Sequence, residues 1–169
     1  MSRLLVRLPP LLALAVVMHT AVLPELRIAG VAADLLLLLG ISAGLSTGPA
    51  RGAVVGFSAG LLADCFLQTP FGLSALTHAV VGHGVGALHR RLVPAARWVP
   101  VATATVASAA GVILFAVLGA AIGQSHLLRG GLLRVVVVVA LVNGVLHVLV
   151  VGPVRWAVAP VRASRPVLR

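Results

Sequence analysis

The sequence predicts an all-α integral membrane protein, a bundle of six transmembrane helices with both termini in the cytoplasm. Three observations predict it. Of 169 residues, 60% are hydrophobic and only 9% are charged, whereas a soluble domain carries about a quarter charged residues. The mean hydropathy is +1.16. The apolar residues also fall into runs near the ~20 residues that a helix needs to cross the hydrocarbon.

The first run, 8–24, follows Arg3 and Arg7 and resembles the start of a signal peptide. It lacks a good small-x-small cleavage pattern, and further spans follow directly, so it reads as a retained first span. The others are 28–47, 52–69, 71–89, 98–123 and 131–153. The separators carry the expected punctuation: Pro24 with Glu25 and Arg27, Gly48-Pro49 with Arg51, Thr69-Pro70, RRLVPAARWVP and GQSHLLRGG. A barrel would need alternating segments of about 10 residues, and these runs are apolar on both faces. Nothing outside the spans is long enough for a second domain. Residues 1–169 form a single membrane domain, and 154–169 read as a short basic cytoplasmic tail.

Charge sets the orientation. All 13 basic residues are arginine, against three acids, Glu25, Asp34 and Asp64. With the N-terminus inside, Arg3, Arg7, Arg51, Arg90, Arg91, Arg97, Arg155, Arg162, Arg165 and Arg169 lie on the inner side. Only Arg27, Arg129 and Arg134 lie outside. A net charge of +10 therefore reads as topology signal and contact with anionic lipids, with no nucleic acid as partner. The absence of lysine beside so much Ala, Val, Leu, Gly and Arg suits a GC-rich bacterial genome. Cys65 is the single cysteine, which excludes an internal disulfide and a thiolate metal cluster.

The stretch GAVVGFSAGLLADCFLQTPFG, residues 52–72, carries the main candidate site. Gly52, Gly56, Gly60 and Asp64 recur every four residues and share one side of a helix. The next span repeats the spacing with Ser74, His78, Gly82 and Gly86. The second span carries Gly40, Gly44 and Gly48, and the fifth carries Gly111, Gly119 and Gly123 in line with Ala107. In lipid, such small-residue stripes let backbones approach closely.

An acid inside a span costs roughly 2.5 to 3.5 kcal/mol on insertion scales and usually faces the bundle interior. Asp64 lies about five residues from the outer end of its predicted span, on the order of 7 Å deep. Asp34 lies at similar depth in the preceding span. Asp64 is expected to bond the Ser74/His78 stripe, to pair with Arg134, or simply to cap the outer turn.

Enzymatic chemistry finds no footing. GFSAG at 56–60 matches G-x-S-x-G, but that motif needs a strand, a sharp turn and a helix, and here it lies mid-span. The six histidines include no H-E-x-x-H, and no phosphate-binding loop precedes a helix. No catalytic residue, metal or cofactor is expected.

The segment Leu35–Leu88 resembles the rod shape-determining protein MreD family. The resemblance rests on AADLLLLLG and on GFSAGLLADCFLQTPFGLSALTHAVVGHGVGAL. Gly56, Gly60, Asp64, Gly72 and Ala75 fall where the family pattern places them. His83 stands where relatives often carry an aromatic residue. The first span and the last two agree only in length and hydropathy.

The resemblance implies a multi-pass protein of the bacterial plasma membrane with no catalytic role, acting in cell shape and peptidoglycan synthesis within the elongation machinery. Its implied partners are a single-span MreC-like protein and, indirectly, actin-like MreB and the wall synthases. Asp64, Gly56, Gly60, Gly72, Ser74, His78 and Asp34 are the candidate structural and partner-binding residues. The implied fold is similar to the six-helix substrate-binding subunit of energy-coupling-factor transporters. That similarity supplies the alternative, a small-solute (vitamin) binding subunit whose outward pocket holds Asp34, Asp64, Ser74 and His78.

Overall fold

A computed structural model describes residues 2–67, 69–89, 96, 98–128 and 130–158. Among them are six α-helices: α1 (Ser2–Val17), α2 (Leu35–Thr47), α3 (Pro49–Asp64), α4 (Leu73–His89), α5 (Val99–Ala121) and α6 (Leu132–Val158). A π-helical turn, Met18–Val22, prolongs α1, and a short 3-10 turn, Ser125–Leu128, precedes α6. The only β pairing among the described residues is the single bridge between Ile28 and Val31. Arg90, Arg91, Arg97, Arg129 and residues 159–169 of the predicted tail lie outside the described residues.

Two helices, α5 and α6, are long and apolar enough to cross a membrane. The other four have 13 to 17 residues. The shortest, α2, is about 20 Å long at 1.5 Å per residue, less than the ~30 Å of a hydrocarbon core. It is also the central helix, with Leu36 to Leu45 buried throughout.

The predicted spans differ from the helices at their ends. The second span was expected from 28, but the helix starts at Leu35. A tight turn at Ala29 (φ 51°) and Gly30 (φ 79°) joins Ile28 to Val31, and Asp34 then caps the helix by accepting from the Leu37 N–H at 2.9 Å. The third span was expected to reach 69, but the helix ends at Asp64. The sixth runs through Pro153 to Val158. There, guanidinium groups take up orphan C-terminal carbonyls. Arg7 donates to the Trp156 carbonyl at 3.0 Å, Arg51 donates to that of Val158 at 2.6 Å, and Arg7 also lies over the Trp156 ring at 4.6 Å.

The glycine stripes of α2, α3 and α4 meet one another main chain to main chain. A Cβ on Gly40 would stand 2.8 Å from the Gly56 Cα. On Gly44 or Gly52 it would strike the Gly82 carbonyl, on Gly56 the His78 carbonyl, and on Gly60 the Ala75 Cα at 2.5 Å. On Gly86 it would meet Pro49. The fifth helix departs from its expected stripe. Gly111 and Gly119 face movable leucine side chains, Leu37 and Leu127, and Gly123 is a turn residue at φ 95°. Two apolar clusters flank the three-helix unit. One joins α1 and the end of α6 to α2 and α3, and the other joins α5 to α2 and α4.

Gly56→Ala should lower stability by about 1–3 kcal/mol, because a main-chain carbonyl cannot move aside as a side chain can. Gly84, with nothing within 4 Å of its Cβ position, provides the contrast. Gly84→Ala should leave stability unchanged or raised by up to about 1 kcal/mol. Thermal unfolding of detergent-purified variants checks both.

Candidate functional site

The connections α1–α2, α3–α4 and α5–α6 meet at one end of the bundle, and the polar residues concentrate there. Asp64 ends α3 with its side chain turned toward the start of α4. One carboxylate oxygen accepts from the Gly72 N–H at 2.8 Å and the Ala75 N–H at 3.2 Å, and the other accepts from the Ser74 N–H at 3.0 Å. These are first-turn donors that a helix leaves without internal partners, and the positive end of the helix dipole favours the carboxylate. At 4% exposure, Asp64 is a buried charge balanced by three main-chain donors.

Of the partners expected for Asp64, it meets the turn between α3 and α4 and the Ser74 main chain. The bonds run to the backbone of Ser74 and not to its hydroxyl, and His78 and Arg134 make no contact with Asp64 among the described bonds. Gly72 adopts φ 97°, a left-handed conformation open to glycine, and so presents its N–H to the carboxylate. Gly60 lets the Ser74–Ala75 main chain approach α3, and Gly56 does the same for His78.

His78 belongs with Asp34 instead. Its Nε2 lies 3.6 Å from the Asp34 carboxylate. Asp34 is thereby committed three ways. One carboxylate oxygen caps α2, the other faces the imidazole, and its backbone carbonyl accepts from Asn143 Nδ2 at 3.0 Å. Asn143 also donates to the Ser108 hydroxyl at 3.1 Å. One turn along α6, His147 Nδ1 bonds the Ser42 hydroxyl at 3.0 Å.

Ser42, Ser108, Asn143 and His147 are all buried, and sequence reasoning gave them no role. A signal was present. Asn143 and His147 stand four residues apart on an otherwise apolar α6, and so share one face.

Asp34 and His78 border a cavity of about 390 Å³, which Ser42, Ser108, Asn143 and His147 do not line. Asp34, His78, His19 and Thr69 line it, with Ser74 and Thr77 behind them, and apolar residues of α5 and α6 close it. Asp64 does not line it. No group of three His, Cys, Asp or Glu able to hold a metal ion occurs among the described residues.

Asp64→Ala would leave the buried Ser74 and Ala75 donors and the half-buried Gly72 donor without acceptors, at about 1–3 kcal/mol for each buried unsatisfied group. Asp64→Asn keeps one acceptor oxygen and should fall between Ala and wild type. The order wild type, Asn, Ala in melting temperature of the purified protein checks the bonding pattern. Equal melting of all three would contradict it.

The family model described as rod shape-determining protein MreD matches residues 1–155, which takes in all six helices but the last residues of α6. No curated protein and no solved structure matches. Its apolar α5 and α6 are compatible with membrane insertion, and MreD is a membrane protein family acting in rod-shape determination and not known for enzymes. The chain belongs to the rod shape-determining protein MreD family.

Proposed function

We propose that this protein is a non-catalytic scaffold of the bacterial plasma membrane. It crosses the membrane six times with both termini inside, and it serves cell elongation and peptidoglycan synthesis by docking the single transmembrane helix of an MreC-like partner. Through that partner it is coupled to actin-like MreB and the wall synthases. Its arginines, clustered toward the cytoplasmic face, hold anionic lipid.

The observation that carries the reading is the combination of a locked core with an unfilled lateral groove. Glycine contacts and the Asp64 bonds fix α2, α3 and α4 against one another. Beside them, α4 and α5 leave an apolar groove of about 490 Å³ lined by Val81, Gly84, Val85, Trp98, Ala102 and Val106. Gly84 is the α4 glycine that no other helix covers, so it offers an incoming helix the same close approach that the core glycines give one another. A rigid core holds the α4 wall of that groove in one shape and so lowers the entropic cost of docking.

A second reading, a vitamin-binding subunit of an energy-coupling-factor transporter, is favoured by the cavity beside Asp34. Phe115 is the one Phe, Trp or Tyr among its lining residues, which gives little surface for stacking a vitamin ring.

Gly84→Leu fills the groove without touching the core. It should reduce co-purification of the MreC-like partner by about tenfold, as expected for roughly 1.4 kcal/mol, while the melting temperature stays unchanged. Full partner recovery would remove the groove from consideration. Saturable stabilisation by a vitamin in a thermal-shift screen would favour the second reading.

A further inference from the structure

Among the described residues, four buried side-chain polar atoms have no hydrogen-bond partner: His19 Nδ1, Thr69 Oγ1, His78 Nδ1 and Asn143 Oδ1. Three of these four residues, His19, Thr69 and His78, line the one cavity beside Asp34. Buried polar atoms are normally paired, so such a cluster calls for something that pairs them.

The chemistry of the cluster narrows what that is. The Asp34 oxygen facing His78 is 3.6 Å from Nε2, beyond hydrogen-bond reach, so it retains lone pairs for another donor. The Asp34 side chain is 31% exposed and borders the cavity. His78 turns Nε2 toward this carboxylate; in the neutral ring that carries its proton on Nε2, the unpaired Nδ1 is an acceptor. His78 is 3% exposed, and its Nδ1 has no hydrogen-bond partner. The Thr69 hydroxyl accepts as readily as it donates. The site thus sets a carboxylate beside polar side chains that can accept a hydrogen bond.

An anion would be repelled there. A metal ion would need a group of three ligating side chains, which the described residues do not form. A quaternary ammonium has no N–H to offer these acceptors and needs an aromatic cage, while Phe115 is the single Phe, Trp or Tyr of the lining. A primary ammonium carries one positive charge and three donors with no acceptor, which is the complement of this set. The aliphatic walls, among them Leu37 and Val139, suit the carbon chain attached to it.

We propose that the cavity formed by Asp34, His78, His19 and Thr69 binds a primary ammonium group, carried by an ethanolamine lipid headgroup or by a small free amine. The assignment is independent of partner docking, because the α4–α5 groove shares neither Asp34 nor His78 with it.

The test uses the full chain in nanodiscs of phosphatidylglycerol, with thermal unfolding as readout. Ethanolamine or choline is titrated in solution, and in a separate arm phosphatidylethanolamine or phosphatidylcholine is blended into the disc. The expected result is a saturable rise in melting temperature with an ethanolamine compound and none with its choline counterpart. A response confined to the lipid arm identifies the headgroup as the source, and a response to the free amine identifies a soluble ligand. Asp34→Asn keeps the helix cap, since Asn caps as well as Asp, but removes the charge, and it should weaken half-saturation by about tenfold or more. His78→Gln is the second variant and should weaken it likewise. Glu25→Gln, an exposed acid outside the cavity, should leave the response intact. No response in either arm, an equal response to choline, or an undiminished response in folded Asp34→Asn and His78→Gln would each overturn the proposal.

Discussion

Helices α2, α3 and α4 touch through their main chains, and the rest of the structure is arranged around that contact. Where Gly44 and Gly52 both face the Gly82 carbonyl, no room exists for a single methyl group. Distances of that kind maximise dispersion contact between helices, which matters most where surrounding lipid would remove any hydrophobic drive to associate. The contact also fixes relative height. A helix that slid along its neighbour would bring a side chain against a carbonyl, so the glycines specify register as well as proximity.

Asp64 completes the same constraint at one end. Its three bonds to the start of α4 orient the α3–α4 turn, and Gly72 makes the turn possible. Arginines do comparable work at the opposite end, where Arg7 and Arg51 draw the last carbonyls of α6 onto α1 and α3. Both devices match a charged side chain to the unpaired end of a helix. The charges are scarce in this chain, and these three are spent on helix termini, where each satisfies groups that the backbone cannot satisfy for itself.

Against this fixed unit, α5 and α6 form a looser second layer. Their contacts with α2 run through leucine side chains and through the hydrogen-bonded row of Ser42, His147, Asn143 and Ser108. Directional polar bonds in an apolar interior define one arrangement where aliphatic packing alone would accept several. The cavity beside Asp34 lies where the two layers part: its polar lining comes from α4 and from the segments that precede α2 and α4, and apolar residues of α5 and α6 close it.

Much of this was legible in the sequence. The four-residue spacing of Gly52, Gly56, Gly60 and Asp64, matched by Ser74, His78, Gly82 and Gly86, identified the two faces that meet, because helical periodicity is a local property of the chain. The apolar runs gave six helices for the same reason. The stripe on α5 shows where the pattern misleads, since equal spacing there meets leucine side chains and a turn instead of a backbone.

The identity of pairing partners was not local. Whether His78 answered to Asp64 or to Asp34 depended on how α2 and α4 are rotated about their axes. That rotation follows from the summed packing of all the helices and leaves no mark in any one of them. Sequence therefore determined which residues face inward. The tertiary structure decided which of them meet, because a hydrogen bond resolves ångströms and degrees that a periodicity of 3.6 residues cannot encode.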